Sequence, residues 1–321
     1  MQNTDFPYSW GHLKRYNDFS TYFRKLFSGR VQKVSLDAGF TCPNRDGTKG
    51  LGGCTYCNNK TFKPDYCNLG NSIEKQLNEG IAFFSKKYSA IKFIAYFQAY
   101  TNTYAPIEKI KEIIEIAICN PEIVGVVLAT RPDCLSVDIL DYLQTISEKH
   151  YLMVELGVES CEDDTLRDIN RGHTFAESKA AILNLAERKI HNCIHMIAGL
   201  PGEDRETILK QPVILSQLPV ENIKIHQLQI HRGTVMEKQY RDNPQSFNIF
   251  NDVDEYVELM IDYLELLNPS VIVERFVSYT PSGFLIAPGW GLKNFEFVAK
   301  VEKRLKERNT WQGRLYIPLE G

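Results

Sequence analysis

The chain has 321 residues, 43% of them hydrophobic and 24% charged, enough for one large α/β barrel domain or two smaller domains. Its 37 basic residues against 40 acidic ones give a formal charge of −3, so no global positive field marks a nucleic-acid partner, and any such contact must rest on a local patch. The N-terminus lacks the plan of a signal peptide and no run of about twenty apolar residues could span a bilayer, so a cytoplasmic protein without a membrane partner is expected.

In chain order, residues 17–28 read as a short amphipathic helix, with Phe19, Tyr22, Phe23 and Leu26 at helical spacing, and 31–36 as a first strand. That strand runs into residues 39–60, GFTCPNRDGTKGLGGCTYCNNK, where eleven residues separate Cys42 from Cys54 and two separate Cys54 from Cys57. A C-x-x-C pair lets two thiolates converge on one centre, and the Pro, Asn, Asp and Gly residues describe a turning loop that can bring in a third. Three thiolates satisfy three irons of a [4Fe–4S] cube and leave the fourth open. A structural zinc would want four closed ligands, which Cys67 could complete. The remaining cysteines, Cys119, Cys134, Cys161 and Cys193, are isolated and are most simply thiols in a reducing compartment.

Alternation then continues: helix 72–88, strand 91–97, helix 106–119, strand 123–129, helix 137–149, strand 152–156, helix 174–189, strand 194–198, helix 205–218 and strand 222–228. Residues 123–129, IVGVVLA, have the continuous apolar character of a parallel strand buried on both faces. Six strand-plus-helix units between residues 31 and 242 predict an α/β fold, a partial (β/α)6 TIM-like barrel with right-handed crossovers. The loops after the strands then share one rim, where the cysteine loop lies. A short N-terminal helical extension (1–30) and an α/β C-terminal extension covering the barrel (243–321) complete the expected organisation. The latter holds a helix at 253–267, a strand at 270–277 and a charged helix at 295–308.

An open-iron cluster on a partial barrel is an apparatus for reductive cleavage of S-adenosylmethionine, whose amine and carboxylate chelate the unique iron. With its cysteine loop, the strand ends FQAYTNT (97–103) and ATRPD (129–133), and the segments GVES (157–160), NRGH (170–173) and GLPG (199–202), the chain resembles the radical SAM enzymes. Within them it is similar to the branch of the Elongator catalytic subunit and the oxygen-independent coproporphyrinogen oxidase. The segments CPNRDG, AYTNTYAP, ERFVSYTP and LIAPGWGLKN are similar to a narrower group, the YhcC/YtqA (MnmL-like) family.

The resemblance implies a [4Fe–4S] cluster on Cys42, Cys54 and Cys57, with Tyr56 beside it. It implies S-adenosylmethionine contacts from Ala99, Tyr100 and Thr101, which replace a Gly-Gly motif, from Thr130, and from Glu159 and Arg171 twelve positions later. His195 stands where several relatives carry an acidic residue, and a hydrogen bond to cofactor or substrate is expected there. Arg131 is a candidate for a carboxylate or for an ion pair within the barrel, and Glu155 is expected to point inward if its strand persists. His226 and His231 are expected near the cavity.

The implied activity is tRNA wobble-uridine modification, carboxymethylaminomethyl to aminomethyl, with a flavodoxin- or ferredoxin-like electron donor. Radical chemistry on a small-molecule carboxylate or tetrapyrrole, and a non-enzymatic iron–sulfur or zinc protein, are the alternatives. Lys300, Lys303, Arg304, Lys306 and Arg308 are candidate phosphate contacts, or a solvated helix face.

Overall fold

The computed structural model describes residues 7–318, except 62, 63, 65, 69, 89 and 90. After helix α1 (Phe19–Leu26) come β1 (Arg30–Leu36), α2 (Ile73–Ser85), β2 (Ile91–Phe97), α3 (Ile107–Ile118), β3 (Ile123–Thr130), α4 (Val137–Ser147) and β4 (Tyr151–Glu159). Then follow α5 (Asp163–Asp168), α6 (Phe175–Glu187), β5 (His191–Ala198), α7 (Arg205–Leu215), β6 (Asn222–Gln227), β7 (Ile230–His231) and α8 (Val235–Asp242). The chain ends with α9 (Val253–Leu266), β8 (Ile272–Arg275), β9 (Leu285–Ala287) and α10 (Asn294–Glu307).

Local chemistry sets many of these starts. Asp18, Ser72, Thr174, Asp204 and Thr234 each accept a hydrogen bond from a first-turn backbone N–H, and Glu177 closes a capping box with Thr174. Apolar stripes then choose the buried face, as with Ile110, Ile113, Ile114 and Ala117 of α3.

The main sheet is parallel in the order β1-β2-β3-β4-β5-β6-β8, a half-barrel curled with its helices outside. It has seven strands where six were expected, because residues 272–275 pair with β6. An edge strand leaves unpaired backbone groups. β8 covers that edge of β6, and the Val273 amide in turn donates to the Asn17 carbonyl at 2.8 Å.

Strand alternation divides the barrel walls. Phe93, Ala95 and Phe97 of β2 pack outward under the helices, while Ile94 and Tyr96 join Val127, Ala129, Met153 and Cys193 inside. Phe23 of α1 packs into this inner cluster, so α1 plugs the end of the half-barrel opposite the cysteine loop. Above the plug the inward positions turn polar, with Lys33, Glu155 and Lys224 in one layer. β4 extends three residues beyond its expected end because its ladder to β5 continues through a bulge at Gly157/Glu159.

Candidate active site

The cysteine loop is pinned before any ligand is considered. The Cys42 carbonyl accepts the Arg45 amide at 2.8 Å, the Pro43 carbonyl accepts the Lys49 amide at 2.8 Å, and the Cys54 carbonyl accepts the Cys57 amide at 3.0 Å. Lys49 reaches Asp133 at 2.6 Å, fastening the eleven-residue insertion to the loop after β3. Asp46 instead accepts the Thr48 amide in a local turn, and Arg45 faces the cavity.

All three thiols line one cavity at the rim, together with Tyr56, Tyr100, Thr101, Thr130, Glu159 and Arg171. Arg171 Nη1 and Asn44 Nδ2 each lie 3.6 Å from the Cys54 sulfur, and Asn59 Nδ2 lies 3.6 Å from that of Cys57. Burial, reinforced by Cys54, pushes the Cys57 thiol up to about 12, so a thiolate there needs a cation beside it. Among the described residues, the set whose ligand-type atoms all lie within 4.8 Å of one another is Glu155, Cys193 and His195, so the three rim thiols stand wider than donors around a single ion. The donor chemistry and the spread fit a thiolate-held cluster. Cys67 takes no part: its thiol donates to the Ser35 carbonyl at 2.7 Å in a neighbouring small cavity, which removes the fourth ligand of the zinc alternative.

Arg171 is the most constrained side chain of the rim. Its Nε donates to the Gly157 carbonyl at 3.2 Å, and its Nη2 lies 3.6 Å from Glu159 Oε1. A Cβ at position 157 would sit 2.5 Å from Arg171 Nη2, so only glycine admits this approach. Glu159 itself has φ 73°, turning its carboxylate at the strand end back toward the arginine.

The strand-two end divides. Tyr100 and Thr101 face the cavity, whereas Ala99 lines the small neighbouring cavity beside Cys67. Asn102, which the sequence reading did not single out, donates to the Phe97 and Ala129 carbonyls at 3.0 and 2.9 Å and locks this turn to β3. Thr130 bonds the hydroxyl of Thr103. Arg131 takes the ion-pair option: it forks onto Asp133 at 2.9 and 3.0 Å and donates to the Arg171 carbonyl at 2.6 Å.

His195 lines the cavity, but its Nε2 bonds Glu155 Oε2 at 2.9 Å, so that nitrogen serves the barrel interior and not a ligand. Glu155 also accepts from Lys33 Nζ at 2.8 Å, Lys224 Nζ at 2.6 Å and Tyr96 Oη at 2.7 Å. Burial works to raise its carboxyl, but Lys224 and Lys33 outweigh it and hold it well below the usual carboxylate range. His231 is tied to Thr280 at 3.0 Å, and His226 lines the cavity.

Three of the five basic residues at positions 300–308 turn to α9. Lys300 pairs with Asp254 at 2.7 Å, Arg304 pairs with Glu258, and Arg308 pairs with Asp262 at 2.7 Å. The charge of these three is already matched by a neighbouring helix, which speaks against phosphate contacts from them, while Lys303 pairs with Glu307 on its own helix at 3.6 Å.

A parallel half-barrel with three thiols at the head of its first loop, beside a paired arginine and carboxylate, is the arrangement of the radical S-adenosylmethionine class. Comparison with known proteins agrees: the radical SAM superfamily pattern matches residues 42–210 and the radical SAM C-terminal domain matches residues 220–307. The chain belongs to the radical SAM superfamily, and within it to the YhcC/YtqA family. It is 38% identical to YtqA of Bacillus subtilis over 320 residues, covering 100% of this chain and 98% of that protein. A tRNA uridine(34) acetyltransferase of Dehalococcoides mccartyi is 27% identical over 175 residues, covering 53% of this chain and 36% of that one. The structure of the archaeal Methanocaldococcus infernus Elp3 shares the fold with a TM-score of 0.66 at 16% identity, over 88% of this chain and 64% of that chain. The protein is thus a radical SAM enzyme that uses a [4Fe–4S] cluster and S-adenosylmethionine. No described helix is long and apolar enough to cross a membrane.

Proposed function

We propose that this enzyme modifies the wobble uridine of a tRNA in the cytoplasm, converting a 5-carboxymethylaminomethyl side chain to aminomethyl, a conversion in which the 5′-deoxyadenosyl radical would take one hydrogen atom, the oxidised cluster one electron, and water would release the two carbons as glyoxylate. The observation that carries the reading is the cavity that gathers Cys42, Cys54 and Cys57 with Tyr56, Glu159 and Arg171 and is also lined by His226, Gln227, Gln229 and Arg275. Similarity to a protein named as a tRNA uridine(34) acetyltransferase supports the choice of nucleoside.

In this reading the three cysteines hold the cluster. The chemistry supplied by the bound cluster and cofactor is one-electron cleavage of a sulfonium carbon–sulfur bond, giving methionine and a 5′-deoxyadenosyl radical. Arg171, whose Nε and Nη2 stay on the Gly157 carbonyl, would meet the methionyl carboxylate through Nη1, and Glu159 would accept from ribose hydroxyls. Tyr100, Thr101 and Thr130 border the methionyl group. Tyr56 would wall the bound cluster from solvent. A flavodoxin- or ferredoxin-like protein delivers the electron.

Mass spectrometry of tRNA nucleosides from a deletion strain tests this. The expected result is accumulation of 5-carboxymethylaminomethyluridine with loss of the aminomethyl derivative. An unchanged wobble-uridine profile overturns the tRNA reading and points to a small-molecule carboxylate.

A further inference from the structure

We propose that Arg275 and His226 form a subsite that takes the carboxylate of the substrate, on the part of the cavity wall that β6 and β8 supply. The inference rests on the tRNA reading above, in which the group removed ends in a carboxylate.

The argument starts from the β6–β8 ladder. Ile223 pairs with Val273 but Lys224 pairs with Arg275, so Glu274 is the extra residue of a bulge. Successive residues of a regular strand face opposite ways, and a bulge relaxes that rule. Here both serve the interior: Glu274 Oε1 reaches Lys33 at 2.6 Å and Lys224 at 3.2 Å, while Arg275 lines the cavity. β8 lies at the far end of the sheet from β1, whose following loop carries the cysteines.

The other guanidiniums beside the three thiols have partners. Arg171 is committed to the Gly157 carbonyl, Arg131 to Asp133, and Arg45 Nη1 to the Gly52 carbonyl at 3.3 Å. Among the described residues no hydrogen bond or ion pair holds the guanidinium of Arg275, because its neighbour Glu274 is engaged by the two lysines. The interior layer therefore sets three cations, Lys33, Lys224 and Arg275, against two carboxylates, Glu155 and Glu274. A substrate carboxylate brings that layer to balance, and a planar guanidinium matches it with two parallel bonds.

His226 is the second, independent observation. It lines the same cavity, and its Nδ1 is buried with no hydrogen-bond partner. Burial, reinforced by the positive charge of Arg275, drives its pKa well below the usual histidine range, so the ring is neutral. A neutral imidazole protonated at Nδ1 has a donor with nothing to meet until an acceptor arrives.

The test uses anaerobically reconstituted enzyme and two synthetic anticodon stem-loops, one with 5-carboxymethylaminomethyluridine at the wobble position and one with the corresponding amide. Wild-type enzyme is expected to bind the acid about 30-fold or more tighter than the amide, Arg275→Gln to lose that preference, and Arg275→Lys to keep part of it. His226→Phe should weaken the preference without abolishing it. Iron and sulfide content of each variant reports whether the barrel has assembled. If Arg275→Gln binds and discriminates like wild type, or if its defect is in S-adenosylmethionine affinity, the subsite assignment is overturned while the tRNA reading stands. Equal binding of acid and amide by wild type overturns it too, since a guanidinium on a phosphate ignores the difference. Should wild type bind and convert neither stem-loop, the tRNA reading fails and the inference falls with it.

Discussion

Nη1 of Arg131 donates to the backbone carbonyl of Arg171 at 2.6 Å, so one rim arginine fixes the position from which the other extends. Arg131 and its partner Asp133 each leave only 2% of the side chain exposed.

Replacing Arg131 with Gln therefore strands a buried carboxylate with Lys49 alone and should cost about 3 kcal/mol in stability, read by denaturant unfolding. Burial alone would raise the Asp133 carboxyl from 3.8, but Arg131 and Lys49 hold it at about 2. The sign follows: this contribution is present above pH 3.8 and is lost as pH falls toward about 2, so the acid limb of the wild-type stability curve should be shallower in the variant. The KM for S-adenosylmethionine should also rise more than kcat falls, because Arg171 loses its anchor.

Glu203 gives the opposite pH dependence. Burial, with Glu162 adding to it, raises its carboxyl from 4.5 to about 7, while its side chain bonds Ser160 and accepts from Gln211 Nε2 at 3.2 Å. Stability from this group is fully present below pH 4.5 and is lost as pH rises through about 7. Glu203→Gln keeps the hydrogen bonds, since a hydroxyl can turn to accept. It should be the more stable form at pH 8 by about 2 kcal/mol, with the advantage vanishing near pH 4.

Cysteine replacement separates cluster ligands from bystanders. Single Ala variants of Cys42, Cys54 and Cys57 should each lose most of the iron after reconstitution and all 5′-deoxyadenosine formation. Cys67→Ala should retain wild-type iron, because its thiol is committed to Ser35. Iron loss in Cys67→Ala would return it to the ligand set.

On α10, Arg304→Gln should change stability by less than about 1 kcal/mol, since Arg304 and Glu258 are 40% and 37% exposed. RNA affinity and its salt dependence should be unchanged. A fall in the salt slope by about one would put Arg304 on a phosphate after all.

What could be read from sequence was whatever short-range pattern records. The apolar run of β3 gave a doubly buried parallel strand, and the cysteine spacing gave the thiol loop. Glu159 and Arg171 are twelve positions apart and do meet. Contacts between distant strands left no such trace. Glu155 meets Lys33 across 122 residues and Lys224 across 69, and each of these charges alone looks like surface. The same distance concealed the acids of α9, 46 residues from their Lys300 and Arg304 partners, so the basic helix looked available. Residues 272–275 were legible as a strand, but no local signal said that they would extend the main sheet in parallel with β6.

The bond from Lys33 on β1 to Glu274 on β8 joins the first and last strands of the half-barrel, which share no ladder. Six of the intervals around the circumference are thus fixed by backbone hydrogen bonds within the sheet, whereas the seventh is spanned by an ammonium on a flexible stem, with residues 17–18 bridged to β8 alone. A ladder cannot lengthen without breaking, whereas a lysine can change rotamer. The width of the aperture between β1 and β8 is accordingly set by side chains and not by backbone pairing, so it can change with every strand pair of the main sheet intact.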